Sequence, residues 1–160
     1  MARIPAPVLI ERTLLLAGEQ PAGGAIDALI DFQRAGRRVL LIAPRPRRWR
    51  PTRNSVDQDL AIQKELHRRF SRSGAELDGI CYLAASLFSR RPDLEKQLNR
   101  ISQRYACKSS DLVMIGCEQT ILQGIVEIGG QALAVGPGNG PECPHYSSFK
   151  AALKSARQRH

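Results

Sequence analysis

The chain has no apolar run long enough to cross a membrane. Its opening residues, Met1-Ala-Arg-Ile-Pro-Ala-Pro7, lack the apolar core of a signal peptide, so a cytoplasmic protein is expected. Cysteine pairing of the metal-binding kind is missing too. Cys81, Cys107, Cys117 and Cys143 are scattered, and none belongs to a C-x-x-C pair. Cys143-Pro-His145 is the one close Cys/His pair and has no second pair at zinc spacing. Reduced thiols are therefore expected, rather than a disulfide framework or a zinc site. There is no internal repeat and no low-complexity tract.

What remains is a 160-residue sequence of ordinary hydrophobic content, 42%, enough for one domain with a real core. Its charge is less ordinary. Lys and Arg number 24 against 15 Asp and Glu, a formal net charge of +9. That excess points to an anionic partner: a phosphorylated ligand, nucleic acid or an acidic protein surface, and no membrane. A basic surface also serves solubility alone. The oligomeric state is left open.

Apolar runs alternate with amphipathic segments along the chain. Val8–Leu16 reads as a buried strand, and Ala25–Ala35 as a helix with Ile26, Leu29, Ile30 and Phe32 inward and Gly36 at its end. Val39–Ala43 is the second strand. Pro44 to Asn54 holds three prolines and five arginines and reads as a loop. Ser55 is then a candidate N-cap, with Asp57 and Asp59 in the first turn, and Leu60, Leu66 and Phe70 on the apolar face of the helix that follows. His67, on the same helix, should face solvent. Leu77–Leu83 is the third strand and Pro92 to about Ala106 a helix. Leu112–Ile115 is the fourth strand, Thr120–Ile128 a short helix, and Ala132–Val135 the fifth strand. After a Gly/Pro loop, residues from about 148 to 159 form a basic terminal helix, read as a solubilising tail. Strands alternating with helices imply a three-layer α/β domain over residues 1–160. It should have a Rossmann-like parallel sheet of about five strands, helices on both faces and no large cap domain.

Ile115-Gly-Cys-Glu-Gln-Thr-Ile-Leu-Gln-Gly-Ile-Val-Glu-Ile-Gly129, followed by Ala132-Leu-Ala-Val-Gly-Pro-Gly138, resembles the haloacid dehalogenase superfamily. The likeness is to the branch of histidinol-phosphate and heptose-bisphosphate phosphatases, and Arg68-Arg-Phe70 to Gly79-Ile-Cys-Tyr82 adds to it. It spans Val8 to about Gly138. It implies a site at the carboxyl edge of the sheet: an aspartate nucleophile, an acid/base aspartate two residues on, a Thr or Ser, a Lys, and further aspartates holding Mg²⁺.

Those acids are missing from this chain. The first motif falls on Leu9-Ile-Glu-Arg-Thr13, with Leu9 at the nucleophile and Glu11 at the acid/base place. A shifted alignment puts Glu11 at the nucleophile and loses the second acid. Ala43 stands for the Thr or Ser, and Arg91 or Arg90 for the Lys. Cys117 and Ile121 stand for the metal-binding aspartates. The resemblance then implies a phosphatase-like protein without catalytic residues, metal or other cofactor, acting by binding. The alternative is a rearranged phosphatase using Glu11, with Mg²⁺, and a second alternative is a protein-interaction scaffold.

Arginines cluster where acids are lost: Arg12, then Arg45, Arg47, Arg48 and Arg50, then Arg90 and Arg91. If they converge on the carboxyl edge they form an anion site, with Trp49 free to stack on a base or sugar. Otherwise they are a solvated surface, and Trp49 packs on the core edge. Cys117 reads either as a reactive thiol at a helix start or, preferably, as a small apolar filler. Glu118 reads as a helix-terminal charge.

Overall fold

The computed structural model describes residues 6–18, 20–44, 53–74, 80–83, 91–136 and 143–157. In chain order the strands are β1 (Val8–Glu11), β2 (Leu16–Ala17), β3 (Gln20–Pro21), β4 (Val39–Pro44), β5 (Ile80–Leu83), β6 (Val113–Gly116), β7 (Gln131–Val135) and β8 (His145–Tyr146). The helices are α1 (Gly23–Arg34), α2 (Arg53–Arg72), α3 (Arg91–Arg104), α4 (Gln119–Glu127) and α5 (Phe149–Arg157). Short 3₁₀ turns cover Arg12–Leu15 and Ser109–Asp111.

Among the described residues six strands form one sheet in the order β5-β4-β1-β6-β7-β8, and every neighbouring pair is parallel. Five are the strands expected from the sequence, and β8 is a two-residue addition at the edge. Parallel neighbours need helical crossovers, which is why both faces are covered. Side-chain parity along β1 sorts the layers. Val8 and Ile10 join the core beneath α1, α2 and α5, while Leu9 joins the core beneath α3 and α4. Glu11, two residues after Leu9, falls on the α4 side by the same parity.

Several expectations need correction. The apolar run Val8–Leu16 is not one strand. The chain leaves the sheet after Glu11, turns through Arg12–Leu15 and forms a small antiparallel hairpin of β2 and β3. Apolarity alone did not mark that break, because Leu15 is buried in the turn as fully as any strand residue. Ser55 does not cap α2, which already begins at Arg53. Leu66 and Phe70 are buried on that helix as expected, but Leu60 is 58% exposed. His67 is exposed, as expected.

The C-terminal segment is not a tail. Phe149, Ala152, Leu153 and Ala156 of α5 are buried in the core with α1. Its cations occupy the opposite, exposed stripe, so the helix is amphipathic and structural.

The α4–β7 connection is tight. The Gly130 N–H donates to the Ile125 carbonyl at 2.9 Å, and a Cβ at Gly130 would sit 2.9 Å from the Leu112 carbonyl oxygen. Those contacts are backbone and cannot swing aside. Gly130→Ala should therefore lower stability by about 1–3 kcal/mol in urea unfolding. An unchanged midpoint would show that the turn relaxes freely.

Candidate functional site

The strand order reverses between β1 and β6, and the carboxyl ends of those strands frame a crevice where ligands of open α/β sheets usually bind. Glu11 ends β1 there, 3% exposed. Gly116 ends β6 beside it, followed by Cys117, Glu118 and α4.

The two strand ends are joined by one carboxylate. Glu11 Oε2 accepts the Cys117 N–H at 2.5 Å and the Glu118 N–H at 3.0 Å. A Cβ on Gly116 would lie 2.7 Å from that same oxygen, so glycine makes the room the carboxylate uses. The amides at the start of α4 lack intrahelical acceptors, and the helix dipole favours negative charge there. Glu118 caps the same helix, its side chain accepting the Thr120 N–H at 3.3 Å. This is the helix-terminal charge expected of it.

Cys117 is on the surface, not packed as an apolar filler. Its sulfur lies 3.9 Å from the Thr13 hydroxyl. Partial burial, then the neighbouring Glu11 carboxylate, push the thiol up to about 11. Burial first, and then the Glu11 carboxylate, disfavour the thiolate that the reactive-thiol reading needs. Ile121 is fully buried beneath α4, and Ala43 is fully buried in β4.

Leu9 sits in mid-strand at 0% exposure, paired with Leu40 and Met114, while Glu11 is the residue at the strand end. Thr13 lies two residues beyond Glu11, in the 3₁₀ turn that follows β1.

Arg12 does not face a ligand. Its guanidinium is turned toward α2, bonded to Asp59 at 2.5 Å and to Gln63 at 3.3 Å. The α2 residues that bind it carried no signal in the sequence beyond Asp59 as a helix-start acid. Arg91 begins α3. Arg45, Arg47, Arg48, Trp49, Arg50 and Arg90 lie outside the described residues.

Magnesium, the ion that the resemblance implies, does not suit the described residues. A hard divalent cation wants several oxygen ligands. Here one oxygen of Glu11 already carries two N–H groups, Cys117 keeps its proton at neutral pH, and Ile121 is hydrocarbon in the core. Among the described residues no group of three or more His, Cys, Asp or Glu side chains is placed to hold a metal.

No family model and no curated protein matches the sequence. Solved structures do match the fold. A D,D-heptose 1,7-bisphosphate phosphatase from B. bronchiseptica, complexed with magnesium and phosphate, superposes with a TM-score of 0.73 at 16% identity, over 97% of this chain and 99% of that one. The D,D-heptose 1,7-bisphosphate phosphatase from Burkholderia thailandensis gives 0.74 at 15% identity, over 96% and 99%. The chain has the haloacid dehalogenase-like phosphatase fold.

The raised thiol has a kinetic signature. Thiolate is the reacting form, and its scarcity outweighs its greater nucleophilicity. Cys117 should be alkylated by iodoacetamide at pH 8 about tenfold more slowly than an unfolded-peptide cysteine, with the rate climbing as the pH nears 11. Peptide mass mapping reads this out. Alkylation at the free-thiol rate would contradict the geometry.

Proposed function

We propose that this chain is a phosphatase-fold protein that has given up Mg²⁺-dependent phosphoryl transfer and works by binding an anionic partner. The observation that carries the reading is the engagement of Glu11. A nucleophilic carboxylate has to be free to approach phosphorus, and the amides that would meet a developing negative charge have to be open. Here the only buried acid of the crevice among the described residues sits on the amides of Cys117 and Glu118. Two residues on, where the fold's hydrolytic chemistry wants a second acid, stands Thr13.

The partner reading rests on the net charge of +9 and on the arginines that the sequence places after the second and third strands. Arg45, Arg47, Arg48, Arg50, Arg90 and Arg91 are the contact residues this reading takes from the sequence. Arg12 drops out, because Asp59 holds it. A phosphorylated ligand or nucleic acid suits guanidinium forks, and an acidic protein surface suits the charge without the forks.

A second reading has one observation in its favour. Glu11 stands at the end of β1, where the fold presents its first acid, so a rearranged phosphatase would use it. A phosphomonoester panel with and without Mg²⁺ separates the two. We expect no turnover above buffer and no difference between the wild type and Glu11→Gln. Mg²⁺-dependent hydrolysis abolished by Glu11→Gln would establish the rearranged enzyme instead.

A further inference from the structure

A second concavity lies in the groove between α1 and α5, with a volume of about 510 Å³ and none of the crevice residues in its lining. It runs along the second half of α1 and the whole of α5, lined from Ser148 to Arg157, and Glu11, Cys117 and Glu118 take no part in it. Its floor is apolar. Phe32 and Leu153 are buried at the bottom, with the methyl groups of Ala28 and Ala151 on the walls. One wall is cationic: Lys150, Lys154 and Arg157 recur at i, i+4 and i+7, one stripe of a helix, and all three are exposed.

The charge is not evenly distributed along the groove. Arg157 donates to the Asp31 backbone carbonyl at 3.5 Å, which places Asp31, the one acid in the lining, at that end; Asp27 of α1 is exposed and outside the lining. Lys150 and Lys154 lie one to two turns away, and among the described residues neither is in an ion pair. The volume falls within the usual range for small-molecule sites, which are largely apolar with a few polar groups that orient the ligand. A protein segment is a poorer fit. At nine residues α5 is about 14 Å long, and an element laid along it would bury well under the roughly 1,200 Å² of a stable interface.

We infer that the groove between α1 and α5 binds a small amphipathic organic anion, its apolar body over Phe32 and Leu153 and its acidic head at Lys150 and Lys154. This site is independent of the proposed binding at the carboxyl edge, because it shares no residue with it.

Octanoate, with the neutral octanol as its control, tests this by amide NMR titration of the whole chain at low salt. Saturable shifts confined to α1 and α5 are expected with octanoate, with octanol about tenfold weaker. Lys150→Glu with Lys154→Glu should weaken octanoate about tenfold, and Ala151→Trp should block it by filling the groove. All three positions lie outside the core, and the amide spectrum itself reports that each variant is folded. Shifts that are scattered or unsaturable, equal binding of octanol, or variants that bind as the wild type would each overturn the inference.

Discussion

The carboxylate of Glu11 is the constraint around which the carboxyl edge of this sheet is arranged. It bridges the ends of β1 and β6, where the strand order reverses. Hydrogen bonds to a charged group are worth about 1.5–3 kcal/mol each, and an amide left unpaired in the same place costs a similar amount. Gly116 clears the space, parity along β1 aims the side chain, and the start of α4 supplies donors that need an acceptor. Remove any one of these and the other two lose their purpose.

The same interaction shapes the chemistry around it. Burial, and after it the carboxylate fixed alongside, keep the Cys117 thiol protonated, and a protonated thiol is neither a nucleophile nor a ligand for a hard cation. The charge of the chain is divided in a related way. Arg12 serves α2, and the Arg38 guanidinium lies 4.7 Å from the centre of the Tyr105 ring. Part of the basic excess is thus structural, and fold alone does not state what such a scaffold does.

The layered architecture was legible in the sequence because buried parallel strands and amphipathic helices differ in period. Gly36 follows its helix with positive φ, as its placement suggested, and Gly129 does the same after α4. The failures are instructive. The break after Glu11 was hidden because Leu14, Leu15 and Leu16 remain apolar through a turn and a hairpin. The role of α5 was hidden because its lysines and arginines outnumber its large apolar residues. The pairing of Glu11 with two backbone amides could not be read at all, since it depends on a contact between residues more than a hundred positions apart. The resemblance sets Cys117 and Ile121 at the places of metal-binding acids, and the sequence alone suggested that much. What fills the space they would have left was not.

The central claim is that Glu11 occupies the amides of Cys117 and Glu118 and is not free to ligate a metal. Amide NMR of these two residues, with Mg²⁺ and inorganic phosphate added separately and together, measures that directly. The account predicts two strongly hydrogen-bonded amides whose resonances and slow solvent exchange stay unchanged throughout. Saturable shifts of both amides on adding Mg²⁺, with faster exchange, would mean that the carboxylate leaves its seat to bind the ion, and would contradict it.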